Sequence, residues 1–521
     1  MQPEFNIELY NKRLEELFSR FQSVQKVGFT GNAYKPGLGG MLRLSALLGD
    51  PWKAYPCIHV AGTNGKGSVC SMLAAALAAG ESVRSATATH GLTQKTSANG
   101  LSCRRIGLYT SPHLLDFRER IKVVSADGYE MISREEVWEF LNSYEDAFEG
   151  LSFFEITTGM AFWWFKRQGV DAAVIETGLG GRLDSTNIIT PVLSVVTSIG
   201  LDHCALLGST RAAIAREKAG IFKPGVPAVV GMRDPETAPV FEEAAAAVRA
   251  PLTFVSDVPS FDGEASLLAQ MDLTGPCQDI NLHTVLVALD ILFDLPRKQP
   301  KTRKVMALEA VPSLKTSKIK EGHGFGGHTF LENRQKQGRS QGEMFKALID
   351  AITNAGKRTG LWGRWQRICE KPEVICDIGH NPPALKENFA RLEALQAGRQ
   401  GNDSQDGKIR NGSHDTGRGL IIVYGIMADK DLAGIAPLMP AGAKYILAAP
   451  DNQRALPADQ LKAQLAELRP DLDCTATSSV AAAVRQALTL AQDLPNPLIY
   501  IGGSTFTVAE ALPLFNENTA I

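Results

Sequence analysis

At 521 residues, and with about 150 residues per domain as a guide, the chain holds roughly two to four domains and can bury a large core. Hydrophobic residues at 44 % and charged residues at 21 % exclude wholesale disorder, collagen and coiled coil. With 54 basic and 56 acidic residues the formal net charge is −2, so neither nucleic acid nor a membrane is expected as a partner, and any anionic ligand must be held locally.

The eight cysteines (Cys57, Cys70, Cys103, Cys204, Cys277, Cys369, Cys376, Cys474) are mostly far apart and never form CxxC. They read as reduced thiols rather than a zinc site or a disulfide framework. The opening MQPEFNIELYNKRLEELF has no apolar signal core, and no uninterrupted apolar run reaches about eighteen residues. A cytoplasmic protein is expected.

In chain order, an amphipathic stretch from Tyr10 to Phe21 precedes a short β-prone run, Pro56 to Val60. That run enters AGTNGKGS and then SVCSMLAAALAA, whose Ala, Leu and Met content favours helix. Ile106 to Tyr109, Ala172 to Ile175 before ETGLGG, and Val192 to Ser198 before IGLDH read as further strands. They are largely apolar, as parallel strands covered on both faces should be. Residues 1–296 are therefore expected to form a doubly wound α/β domain. Arg297 to Arg339 carries eleven Lys and Arg against three acidic residues, which makes 297–345 a basic linker or insertion. Over 346–521 the strand candidates Val374–Cys376, Leu420–Tyr424, Tyr445–Ala449 and Leu498–Ile501 alternate with helices such as Ala458–Leu468 and Val480–Ala491, giving a second, smaller sheet. Ser82–Arg105 and Gly398–Gly419 read as long loops.

The run Gly62-Thr63-Asn64-Gly65-Lys66-Gly67-Ser68 follows a strand and opens a helix, the context a phosphate loop requires. Its glycines let backbone N–H groups turn inward, the helix N-terminus adds positive potential, and Lys66 supplies a point charge for the β- and γ-phosphates. Gly67 separates Lys66 from Ser68, so the spacing departs from GxxxxGK[ST] and Ser68 is not assigned to a metal by analogy. A hard divalent ion bridging nucleotide phosphates takes oxygen ligands. Glu176 and His203 each follow an apolar strand and Ser111 follows Ile106–Tyr109, which places all three on the rim that carries the loop. On chemistry alone Glu176 is the better ligand; a lone His is more often structural, and Ser111-Pro112 is also a turn signal.

Together the strings IHVAGTNGKGSV, LYTSPHLLDFRERI, FFEITT, ETGLGGRLDSTN, SIGLDH, REKAGIFKPG, GRWQ, DIGHNP and GIMADKD resemble the folylpolyglutamate synthase/dihydrofolate synthase family of the Mur ligase superfamily. The resemblance spans nearly the whole chain outside the three insertions. It implies a Mur ligase type fold: a P-loop ATPase-like N-terminal domain plus a smaller Rossmann-like C-terminal one. It also implies ATP as co-substrate, a folate or dihydropteroate as the acid, and L-glutamate as the amine. ATP would phosphorylate a carboxylate, and the amine would attack the acyl phosphate. Ser111, Glu176 and His203 would then hold one Mg2+, and Lys218, otherwise read as a solvated helix lysine, would become a carbamate and serve a second. Asn281 would lie near adenine, although Cys277 stands where the family usually has His. Arg364 would reach ATP from the second domain, Asp377 would contact the nucleotide and His380 would help position glutamate. Phe153, Phe154, Glu155, Leu183 and Asp184 match segments lining the pterin site. A monomer is expected.

Three other readings compete. A ligase acting on a peptidoglycan precursor would need a UDP-binding domain ahead of the phosphate loop. A P-loop nucleotide switch would not need Arg364, Asp377 and His380. A dinucleotide-binding dehydrogenase is opposed by Leu183, which stands where GxGxxG requires its last glycine after Gly178 and Gly180.

Overall fold

The computed structural model describes residues 5–21, 37–79, 105–261, 263–275, 277–293, 339–397 and 419–515. The stretches expected as long loops at 82–105 and 398–419, and nearly all of the basic linker, lie outside the described residues. Two sheets organise the chain. The first runs β4 (Gly128–Met131), β3 (Ile121–Ser125), β2 (Ile106–Tyr109), β5 (Ala172–Glu176), β1 (Cys57–Ala61), β6 (Leu193–Val196), β7 (Ala228–Val230) and β8 (Leu252–Phe254). Neighbours from β2 to β8 pair in parallel, and β3 and β4 close one edge as an antiparallel hairpin. The central strands β1, β5 and β6 are buried along their full lengths, which explains their largely apolar sequence, broken only by His59, Glu176 and Ser194.

The helix Lys66–Ala79 lies on one face of this sheet, with Met72 and Leu73 wholly buried. Its small residues permit close approach, and it touches β2, β5, and the helices Gln278–Phe293, Arg339–Thr353 and Ala355–Thr359. Residues 346–359, grouped by sequence pattern with the second sheet, thus pack on the first: Ala351, Ile352 and Ala355 belong to the same apolar cluster as Leu73 and Val285. The second series begins only after this helix pair, because the pair's apolar face is matched to the helix behind the phosphate loop. On the opposite face, the helix Phe153–Gln168 starts with a capping box between Ser152 and Glu155 and ends on left-handed Gly169.

The second sheet runs β13 (Asp473–Ala476), β12 (Lys444–Leu447), β11 (Leu420–Tyr424), β14 (Leu498–Gly502), β10 (Glu373–Cys376) and β9 (Gln366–Glu370). All its pairings are parallel except β9 on β10. Separate apolar clusters fill its two faces, so each sheet is a lobe with its own core. The seven described cysteines form no disulfide, and among the described residues no helix is long and apolar enough to cross a membrane.

One helix junction in the first lobe carries a pH signature. His283 faces Glu264 through Nδ1 at 2.9 Å and the Val258 carbonyl through Nε2 at 3.0 Å. Two acceptors favour the doubly protonated ring, and the Glu264 contact above all raises the His283 pKa from 6.5, with burial opposing. A raised histidine pKa stabilises the fold fully below the unfolded value, and that contribution fades as pH climbs through the folded value. His283→Gln is therefore expected to lower the melting temperature at pH 6 more than at pH 9. Thermal unfolding of both proteins across that range checks it; an equal difference at every pH rules it out.

Candidate active site

The phosphate loop leaves the end of β1 and is tied to the end of β6. Thr63 N–H donates to the Ser198 carbonyl at 2.8 Å and Asn64 N–H to Ser198 Oγ at 3.0 Å. Thr197 Oγ1 in turn donates to the Asn64 carbonyl at 2.6 Å. Gly65 takes a φ of +85°, and a side chain there would run into Asn281, so both backbone freedom and space call for glycine. Gln278 joins this corner by donating to Ser68 Oγ at 3.2 Å and accepting from Asn281 at 3.1 Å. The structure thus brings Gly65, Ser68 and Asn281 together.

Two lysines converge on one carbonyl. Lys66 Nζ donates to the Gly62 and Thr63 oxygens at 3.1 and 3.2 Å, and Lys218 Nζ donates to the Gly62 oxygen at 2.7 Å. Lys218 is not the solvated helix residue its local sequence suggests: the helix Arg211–Ala219 turns it inward and leaves it 4 % exposed. Burial first, then the neighbouring Lys66 charge, brings its pKa down to about 7. It opens onto a small recess that His203 and Lys66 also line.

Glu176, the last residue of β5, is 3 % exposed and accepts from the Ser111 N–H at 3.2 Å. Burial raises its pKa, against the pull of Lys66, the Ser111 amide and Arg364. His203 sits at a left-handed φ of +53°, and burial brings its pKa down to about 3, which leaves a neutral imidazole. Arg364 arrives from the second lobe: a methyl group placed on Gly67 would lie 3.4 Å from Arg364 Nη2 and 3.8 Å from Glu176 Oε2.

A cleft runs from this corner between the lobes. Asn64, Lys66, Ser111, Phe153, Phe154, Leu183, Asp184, His203 and His380 all line it. Phe154 covers Gly178, and Phe153 stacks on Phe18 at 5.4 Å with the Arg120 guanidinium 5.4 Å from its centroid. Asp184 lines the wall but spends its carboxylate on the loop, accepting from Leu179 N–H at 2.8 Å and Thr186 N–H at 3.0 Å. Two expected residues are placed differently. Glu155 is buried in its capping box, accepting from Ser152 N–H at 2.7 Å, and is not among the residues lining the cleft. Asp377 accepts from Gly379 N–H, Asn388 Nδ2 and Trp365 N–H at 2.7, 2.7 and 2.8 Å, so its carboxylate is committed to its own lobe.

The cleft also holds residues that motif reading had not singled out. Asp202, beside His203, accepts from Lys430 Nζ at 3.1 Å and Asn381 Nδ2 at 3.0 Å, and faces His380 Nε2 at 3.6 Å. Burial opposes its charge, yet the facing His380 and the Lys430 ammonium outweigh that and hold the Asp202 carboxyl well below its ordinary pKa. Asn64 and Asn381 exchange amide hydrogen bonds across the lobes at 3.1 and 3.0 Å. The signal for them was present in SIGLDH, DIGHNP and GIMADKD, but only folding brings these strings face to face.

Among the described residues no three His, Cys, Asp or Glu side chains are grouped to cage a metal. One buried carboxylate, one imidazole and one hydroxyl beside a phosphate loop instead suit an ion that takes its remaining ligands from phosphate oxygens and water, as Mg2+ does.

Two parallel-stranded lobes whose strand ends meet at a cleft, with a phosphate loop on one and an arginine reaching in from the other, make this a Mur ligase type fold. Although no family model matches the sequence, curated relatives do. The chain is 30 % identical to the Escherichia coli dihydrofolate synthase/folylpolyglutamate synthase over 429 residues, 82 % of this chain and 80 % of that one. It belongs to the folylpolyglutamate synthase/dihydrofolate synthase family. A probable bifunctional folylpolyglutamate synthase/dihydropteroate synthase of Haloferax volcanii is 28 % identical over 490 residues, 92 % of this chain, which spans 48 % of that relative's length. The structure of E. coli FolC in complex with DHPP and ADP superposes with a TM-score of 0.65 at 25 % identity, covering 97 % of each chain. A bifunctional folylpolyglutamate synthase/dihydrofolate synthase with Mn, AMPPNP and L-glutamate bound gives 0.62 at 26 % identity, covering 92 % of this chain and 94 % of that one.

Proposed function

We propose that the protein is an ATP-dependent ligase that joins L-glutamate to a folate, and to dihydropteroate as well. The observation that carries this reading is a cleft lined by Lys66, Phe153, Phe154, Leu183 and His380, with Glu176 and Arg364 packed beside the loop at Gly67. A phosphate loop alone would suit a nucleotide switch; a second lobe contributing cations and amides to the same cleft suits a reaction between two further substrates.

A carboxylate is a poor electrophile with a poor leaving group, and phosphorylation by ATP corrects both. In this reading Lys66 and Arg364 neutralise charge on the moving phosphoryl group. Asn281 and Gln278 border the base. The aromatic walls hold the flat heterocycle and keep water from the acyl phosphate. His380 and Lys430 face the incoming amino acid, and its amine attacks the activated carbonyl, releasing phosphate. Two Mg2+ ions, the first held by Ser111, Glu176 and His203, would supply further charge neutralisation at the phosphates. Lys218 is the residue to carry a carbamate: with a pKa near 7, a large fraction of its amine is neutral at physiological pH and able to add CO2 with loss of a proton. The enzyme would work as a cytoplasmic monomer, with neither nucleic acid nor membrane as partner.

The deciding measurement is a product assay with purified protein, Mg-ATP and labelled glutamate, offering dihydropteroate and tetrahydrofolate separately. Label entering both products is the expected result; label in tetrahydrofolate alone removes the dihydropteroate activity, and label in neither overturns the reading.

A further inference from the structure

Arg364 lies between two left-handed residues, Gly363 at a φ of +71° and Trp365 at +47°. Glycine adopts that conformation freely, but a bulky side chain does so only when its surroundings enforce it. The enforcement at Trp365 comes from both lobes. Its N–H donates to Asp377 Oδ2 at 2.8 Å within the second lobe. Its carbonyl accepts from Thr274 Oγ1 of the first lobe at 3.2 Å. The indole is 4 % exposed, packed on Tyr500 at 5.9 Å and under the Arg391 guanidinium at 4.7 Å. Arg391 also donates across the lobes to the Thr274 carbonyl. Thr274 and Gly275 lead into the helix that carries Gln278 and Asn281, so this clasp closes on the same corner that Arg364 enters.

We propose that Trp365 is a positioning residue for Arg364, and that Arg391 and Thr274 act through it so that the guanidinium is aimed at the phosphate loop only when the second lobe is docked on the first. The proposal rests on the reading of Arg364 as the group that meets the nucleotide. Arg391 is not among the residues lining the cleft, and the planar fork of its guanidinium both covers the ring and donates to the carbonyl.

The test is steady-state kinetics of Arg391→Ala, Arg391→Lys, Arg364→Ala and the Arg364→Ala/Arg391→Ala double variant, with melting temperatures measured alongside. A misaimed catalytic group costs on the order of tenfold to a hundredfold. Arg391→Ala is expected to lower kcat/KM for ATP by about tenfold with the folate KM unchanged, and Arg391→Lys, which keeps the charge without the planar fork, to restore only part of the loss. If Arg391 works through Arg364, the double variant is no slower than Arg364→Ala alone. Trp365→Gly, which adopts the left-handed backbone without strain but empties a buried site, is expected to show the same kinetic loss together with a lowered melting temperature. Arg391→Ala within twofold of the parent, or a double variant slowed by the full product of the two single effects, overturns the clasp and leaves the role of Arg364 intact. An unimpaired Arg364→Ala instead overturns the reading beneath it, and the clasp with it.

Discussion

Replacing Lys66 by alanine is expected to slow ATP-dependent ligation by at least about 10²- to 10³-fold, the usual effect of deleting one preorganised donor at a site of developing charge. The ammonium is held 3.1 and 3.2 Å from the Gly62 and Thr63 carbonyls, at the mouth of a loop whose backbone is fixed by Ser198 and Thr197. The fold should survive, since Lys218 still donates to Gly62. ADP release with folate and glutamate supplied is the measurement. A variant that stays folded by circular dichroism and turns over near the parent rate would remove the loop from the chemistry.

The second large effect is expected at Lys218. Lys218→Ala should lose ligation by about 10²-fold or more and, unlike Lys66→Ala, should recover part of it with added formate or acetate. A short carboxylate can occupy the space of a carbamate, but an anion cannot replace an ammonium on a phosphate. The rescue separates the two roles: restoration by carboxylates at Lys218 and none at Lys66 supports the carbamate. Failure of every carboxylate, together with a bare amine at Lys218 in an active metal-loaded crystal, refutes it.

Much of the architecture was readable because burial on both faces writes itself as continuous apolar sequence. β11 and β14 are such strands, and β1, β5 and β6 depart from the pattern only at His59, Glu176 and Ser194. β7 and β8 contribute three residues each, too few for any period to emerge, and the edge strand β13 is only partly buried. Local sequence also misled at Lys218, where REKAGIF has the composition of a solvated helix and tertiary packing decided otherwise. The spacing of Ser152 and Glu155 is itself a capping-box signature, so the structural duty of Glu155 was legible and went unread beside the more suggestive Phe pair. The Asp202–Lys430 and Asn64–Asn381 contacts could not be found this way, because each joins residues from opposite lobes whose separation along the chain carries no pattern.

The helix Lys66–Ala79 is enclosed by a sheet on one side and three helices on the others, with side chains too tightly fitted to slide. Its loop therefore behaves as a fixed anvil. Any change in the width of the cleft then falls to the opposite half of the molecule, which the chain enters after Gly360.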